Sequence, residues 1–244
     1  MCTAMTPPQD IPVAILCGGR GTRLQEHAGS IPKPLVEVGG RPIVWHVVQL
    51  FAVQGFREIL LLTGHLGEQV DAFAAAAQWP AGIRVTCVDT GPGTPTGGRI
   101  ARVAERLSGG TCCVTYGDGV ADIDLRALVD GHVAAGLEAT MTLVRPQERF
   151  GVAELAQDGR ISGFREKPRS DHWVNGGFLC LEPTALARIG RDDVLEEGPL
   201  QQLAHAGQLR GHRHEGFWAC MDTYKDAIEL NDLYAKGGAP WRTW

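Results

Sequence analysis

The chain has 244 residues, 44% of them hydrophobic, and a formal net charge of −5, enough for one sizeable core and one or two domains. No dense Lys/Arg block occurs, which argues against a nucleic-acid groove but leaves room for local phosphate sites. No apolar run is long enough to span a membrane, and the opening MCTAMTPPQD lacks the basic-then-apolar pattern of a signal peptide.

Short apolar runs alternate with helix-period stretches along the first half. Residues 1–10 read as a flexible tail. Val13–Cys17 reads as a strand ending in glycines, and Pro42–Gln54 as a helix carrying Ile43, Val47, Leu50 and Phe51 on one face. Strands are expected at 59–62, 83–88 and 111–116, with helices at 67–77, 99–107 and 125–135. The second half holds strand-like runs at 139–144, 151–155, 160–164, 177–181 and 209–214, with few helices between them and a closing helix at 224–235. This order predicts an α/β fold, with a Rossmann-like, mixed but mostly parallel sheet flanked by helices and a smaller β-rich region. One domain over 11–244 is expected, in two functional lobes at about 11–138 and about 139–244.

Seven cysteines (Cys2, Cys17, Cys87, Cys112, Cys113, Cys180 and Cys220) include no C-x-x-C pair. Reduced thiols in a cytoplasmic protein are the plain expectation.

In an open α/β sheet, ligands bind beyond the carboxyl ends of the strands. Two glycine clusters fall at such ends, after Cys17 and after Tyr116. The first, Leu16-Cys17-Gly18-Gly19-Arg20-Gly21-Thr22-Arg23-Leu24, suits an anion nest of backbone N–H groups with Arg20 and Arg23 as charged donors. It lacks the Gly-Lys-Ser/Thr of a P-loop, and Leu24 stands where a dinucleotide fingerprint has Gly or Ala. Taken alone, it can also be read as a glycine-rich βα turn. Pro32-Lys33-Pro34 predicts a stiff, extended segment that presents Lys33. The second cluster, Gly117-Asp118-Gly119, lets a carboxylate protrude. Arg99 follows Gly97-Gly98 at a helix start, where a cation is poorly placed against the dipole, a hint that it serves a ligand.

These motifs are joined by Thr94-Pro95-Thr96-Gly97-Gly98-Arg99, Arg149-Phe150-Gly151, Glu166-Lys167-Pro168, Asn175-Gly176-Gly177-Phe178, Met221-Asp222-Thr223 and the ending Ala239-Pro240-Trp241-Arg242-Thr243-Trp244. Together, from about Val13 to Trp244, the chain resembles the sugar nucleotidyltransferases, and among them the glucose-1-phosphate cytidylyltransferases. The resemblance implies the nucleotide-diphospho-sugar transferase type of fold and transfer of a cytidylyl group from CTP to α-D-glucose 1-phosphate, with release of pyrophosphate. It implies that Leu16, Cys17, Gly18, Gly19, Arg20, Gly21, Thr22, Arg23, Lys33, Thr94, Arg99 and Gly117 lie on the nucleotide. It places Glu166, Lys167, Asn175 and Gly176 at the sugar phosphate, Mg²⁺ on Asp118 and Asp222, and Arg23, Lys33 and Lys167 at the transferred charge. CTP and a sugar 1-phosphate are the implied partners, along with further copies of the chain in a homo-oligomer.

The chain departs from the family in three places. Ile31 replaces the first lysine of a Lys-Pro-Lys-Pro stretch, the segment between Phe73 and Val88 is shortened, and Cys17 stands where alanine is usual. Another nucleotide or sugar phosphate, and a nucleotide-sugar sensor without activity, are the alternatives; retention of both Asp118 and Asp222 argues against the sensor.

Overall fold

The computed structural model describes residues 6–21 and 31–244. Thirteen strands are formed among them: β1 (Val13–Leu16), β2 (Glu37–Val38), β3 (Arg41–Pro42), β4 (Glu58–Thr63), β5 (Arg84–Asp89), β6 (Cys112–Tyr116), β7 (Gly119–Ala121), β8 (Ala139–Val144), β9 (Val152–Leu155), β10 (Ile161–Arg165), β11 (Val174–Leu181), β12 (Leu209–Arg213) and β13 (Trp218–Cys220). The helices are α1 (Ile43–Val53), α2 (Gly67–Ala76), α3 (Thr96–Arg102), α4 (Ala104–Leu107), α5 (Leu125–Ala135), α6 (Pro183–Leu186), α7 (Pro199–His205) and α8 (Tyr224–Ala235).

Seven strands make one sheet in the order β12-β8-β11-β6-β1-β4-β5. The β5-β4-β1-β6 half is parallel throughout, β11 runs antiparallel to both of its neighbours, and β12 returns parallel to β8. The expected mixed, mostly parallel sheet is thus formed, with β11 as the seam between its two halves.

Burial on both faces explains the continuous apolar runs of the central strands. Along β1, Val13 and Ile15 pack with Val47, Leu50 and Phe51 of α1 on one side. The alternate residues Ala14 and Leu16 pack with Ile100 of α3 and with Leu186 and Leu200 on the other.

Several boundaries differ from the sequence reading. The helix expected over 99–107 starts earlier, at Thr96, and is broken at Val103, whose φ of −115° and ψ of 9° leave the helical region. Of the expected tail, Pro8–Asp10 forms a 3₁₀ turn and the next residue, Ile11, is fully buried. Lys33–Leu35 forms a 3₁₀ turn where an extended segment was expected. Pro34 fits in the first turn because N–H groups there need no partner within the helix.

Candidate active site

The loops after β1 and β6 meet because those strands are neighbours, with Leu16 in register with Tyr116. A crevice of about 280 Å³ opens there, lined by the Leu16–Gly19 stretch, Gly21, Lys33, Thr94–Thr96, Arg99 and Tyr116–Asp118. Gly19 and Arg20 are exposed at its mouth. Thr22 and Arg23 lie outside the described residues.

Arg99 shapes the wall of this crevice. It is 3% exposed. Its guanidinium donates to Gly18 O at 2.8 Å, Thr63 O at 2.8 Å, Thr90 Oγ1 at 2.6 Å and Gly91 O at 3.0 Å. One side chain thus ties together the loops that leave β1, β4 and β5. The glycine at position 18 is what admits it, since a Cβ there would lie 2.0 Å from Arg99 Nη1. The dipole argument pointed Arg99 at a ligand; its polar atoms are instead engaged by the chain itself. Thr94 is similarly engaged, donating to Thr90 O at 2.5 Å and accepting from Arg102.

A charged cluster stands opposite. Lys33 Nζ lies 2.5 Å from Asp118 Oδ2 and 2.7 Å from Asp222 Oδ1. Asp222 reaches Asp118 because β13 pairs antiparallel with β7, and Met221 N then donates to Asp118 O at 2.9 Å. Asp222 does not cap the helix that follows it; its neighbour does. Thr223 caps α8 in a capping box closed by Asp226. Burial pulls the Lys33 pKa down, but the charge of Asp118 and the hydrogen bonds to Asp118 and Asp222 outweigh it, and the net shift is upward.

Among the described residues, Asp118, Cys220 and Asp222 form the one group able to hold a metal ion, with ligand atoms within 4.8 Å of one another. Burial first, and then the charges of Asp118 and Asp222, push the Cys220 thiol up to about 12. The neutral thiol and the two carboxylates favour a hard, oxygen-seeking cation held by Asp118 and Asp222. The seat of the Lys33 ammonium shows that the carboxylate pair accommodates positive charge. Asp122, close by in sequence, pairs with His214 Nε2 at 3.0 Å. Asp124 caps α5 by accepting from Ala127 N at 2.9 Å.

On the far side of β6 lies the start of β11. Asn175 Oδ1 accepts from Gly177 N at 2.8 Å, and Gly176 O accepts from Trp218 Nε1 at 2.8 Å. Glu166 and Lys167 are exposed after β10, and Lys167 stands in the left-handed region at φ 44°. A non-glycine residue held there carries strain of a kind concentrated at functional positions. Two side chains at the crevice escaped attention in the sequence. Tyr116 appeared there only as part of a motif, and Glu196, its hydrogen-bond partner, lies in a loop with no local signal.

Residues 13–218 match the nucleotidyl transferase family, and the chain belongs to that family. Within it, the chain is 39% identical over 257 aligned residues to glucose-1-phosphate cytidylyltransferase of Salmonella typhi, covering 94% of this chain and 98% of the relative. It is 36% identical to a probable glucose-1-phosphate cytidylyltransferase of Bacillus subtilis, at 94% and 98% coverage. The fold matches that of HddC from Yersinia pseudotuberculosis with a TM-score of 0.72 at 20% identity, covering 92% of this chain and 99% of that one. No helix among the described residues is long and apolar enough to cross a membrane.

Proposed function

We propose that the protein transfers the cytidylyl group of CTP to α-D-glucose 1-phosphate, releasing pyrophosphate. The observation that carries this reading is the meeting of a glycine loop, a half-buried lysine and two carboxylates at the ends of β1 and β6, in a chain 39% identical to a glucose-1-phosphate cytidylyltransferase. A phosphate oxygen of the sugar phosphate forms a bond to the α-phosphorus, and the bond from that phosphorus to the bridging oxygen breaks. The nucleophile is already an anion, so the chain supplies position and charge in place of a base.

In this reading the loop Leu16, Cys17, Gly18, Gly19, Arg20, Gly21, Thr22 and Arg23 wraps the triphosphate and ribose. Thr94 and Gly117 flank the nucleotide, and Arg99 serves it by holding Gly18 in place. Asp118 and Asp222 hold Mg²⁺, which when bound neutralises phosphate charge. Lys33, Arg23 and Lys167 offset the rest. Glu166, Lys167, Asn175 and Gly176 take the sugar phosphate, with Lys167 on its phosphate group. The nucleotide is assigned to the half at about 11–138 and the sugar phosphate to the half at about 139–244.

A cytoplasmic homo-oligomer completes the proposal. Buried free thiols at Cys17, Cys112, Cys113 and Cys180 suit a reducing compartment. Phe150, Leu155, Ile161 and Phe164, 64–79% exposed on and beside the β9–β10 hairpin, suit burial against another copy; sedimentation reads that assembly directly.

The reading is tested by pyrophosphate release across a panel of four nucleoside triphosphates and several sugar 1-phosphates with Mg²⁺. CTP with glucose 1-phosphate should give the highest kcat/KM. Turnover of another pair alone would reassign the substrates, and none with any pair would remove the enzyme assignment.

A further inference from the structure

Lys33 and Asp222 come from opposite ends of the chain, and a second contact ties their surroundings together. On the lysine side, Val36 N donates to Lys33 O at 3.2 Å and Ile43 N donates to Val36 O at 2.9 Å. The turn that carries Lys33 therefore runs without slack into the β2–β3 hairpin. On the carboxylate side, Asp226 Oδ2 accepts from Asp222 N at 2.9 Å and from Thr223 N at 2.6 Å. Asp222 is thereby fixed to the first turn of α8. Hairpin and helix then meet at Asn231, about two turns along α8.

The Asn231 amide is spent on this meeting. Its Oδ1 accepts from Gly39 N at 2.9 Å, and its Nδ2 donates to Glu37 O at 3.0 Å and to Ala227 O at 2.9 Å. A backbone N–H only donates and a carbonyl only accepts, so these partners admit one orientation of the amide. The hairpin turn also lies flat on the helix. Gly39 stands at φ 60°, and a Cβ there would lie 2.4 Å from Tyr234 Cδ1. Glycine is required twice over, by the left-handed backbone and by the ring beneath it.

We infer that Asn231 is a positioning residue for the Lys33–Asp222 pair: it locks the β2–β3 hairpin to α8 and so sets where the ammonium stands against the carboxylate. Without the lock, Lys33 keeps its ion pair with Asp118 on the neighbouring strand-end loop, and the 2.7 Å contact with Asp222 is the one that lengthens.

Two measurements test this. The sequence has four lysines, and Lys167, Lys225 and Lys236 are exposed, so the slowly exchanging ¹⁵N ammonium signal belongs to Lys33. Asn231→Leu should speed exchange of that ammonium roughly fivefold, while the Trp79 indole N–H, held by Ala74 O at 3.0 Å, keeps its rate. Gly39→Ala, which pushes the turn off Tyr234 from the hairpin side, should reproduce the change with Asn231 intact. A Lys33 signal indifferent to both substitutions would overturn the inference. Equal acceleration at Lys33 and Trp79 would also overturn it, because Asn231 would then only hold the fold together.

The second measurement is Mn²⁺ titration without nucleotide. Asn231→Leu should shift the affinity in the same direction as Lys33→Met, by about threefold, and should shift nothing further in the Lys33→Met background. An equal shift in that background would mean that Asn231 acts on the carboxylates without the lysine, against the inference. This second test rests on the cation site proposed above. A wild type that binds no Mn²⁺ would fail that reading, and the lysine signal would still decide the role of Asn231.

Discussion

Lys33 Nζ lies 2.5 Å from Asp118 Oδ2, and the same ammonium lies 2.7 Å from Asp222. A lysine seated between two carboxylates takes the position that a divalent cation bound by the same oxygens would need. In the function proposed above, the ammonium competes with the cation until triphosphate draws it away. Lys33→Met should bind Mn²⁺ more tightly than the wild type in the absence of nucleotide, by roughly fivefold, equivalent to about 1 kcal/mol for loss of the competing ion pair. Titration calorimetry or Mn²⁺ EPR reads this directly. The same variant should turn over about 100-fold more slowly, because the charge at the phosphate is then less well balanced. Weaker Mn²⁺ binding in Lys33→Met would show that the lysine supports the cation site instead of competing for it.

Asp118→Asn removes one of the two carboxylates but keeps the shape of the turn. The β7–β13 pairing relies on backbone groups, including Met221 N to Asp118 O, so the fold should survive. Activity with Mg²⁺ should fall about 100-fold or more, while the melting temperature stays within about 3 °C of the wild type. Normal turnover would move the cation site elsewhere.

Arg99→Ala tests the strap that joins three strand-end loops. The truncation leaves Gly18 O, Thr63 O, Thr90 Oγ1 and Gly91 O short of a donor. Gly18 O, Thr63 O and Gly91 O each keep a backbone donor, from His65, Thr90 and Thr94, but losing the charged bonds should still cost about 3 kcal/mol, or roughly 6–12 °C in Tm for a domain of this size. KM for CTP should rise as well, because Gly18 loses its anchor. Arg99→Lys should recover little, because one ammonium cannot reproduce a planar fork that spans Thr63, Gly91 and Gly18. A variant with unchanged Tm but weakened CTP binding would mean that Arg99 touches the nucleotide directly.

The parts of the molecule that were legible in the sequence are those with a strong periodic signal. The apolar runs of β1, β4 and β6 and the helical spacing of Ile43, Val47, Leu50 and Phe51 predicted the half of the sheet that carries the crevice. The pairing of β7 with β13 escaped because three-residue strands have no readable period, yet it is this pairing that brings Asp222 to Asp118. The Thr96-Gly97-Gly98-Arg99 motif stood out, but its physical role did not. Its glycines admit the 191–193 backbone and its arginine holds three loops, relations set by tertiary contact. Glu196 gave no sign at all, because a lone glutamate in a loop reads as solvated until the Tyr116 hydroxyl is found beside it.

The last segment of the chain is docked through His46, and this predicts a pH dependence. His46 is fully buried; Nε2 donates to Val38 O at 2.8 Å, and Nδ1 accepts from Trp241 Nε1 at 3.4 Å. Both ring nitrogens are thus satisfied by the neutral tautomer, and a second proton would oppose the indole N–H. Burial lowers the His46 pKa, and the charges of Arg242 and Arg41 lower it further, against the bond to Val38. A depressed folded-state pKa contributes stability that is complete above the unfolded value of about 6.5 and is lost as pH falls through the lower folded value. Between about pH 7 and 4.5, the fluorescence of the Trp45, Trp241 and Trp244 cluster should therefore report loosening of the C-terminal segment and a falling Tm. His46→Gln keeps a donor for Val38 O but does not titrate, so its Tm should be lower at pH 7 yet flatter over this range. An equally steep curve for His46→Gln would shift the acid sensitivity to His132 and His212, whose pKa values burial also lowers.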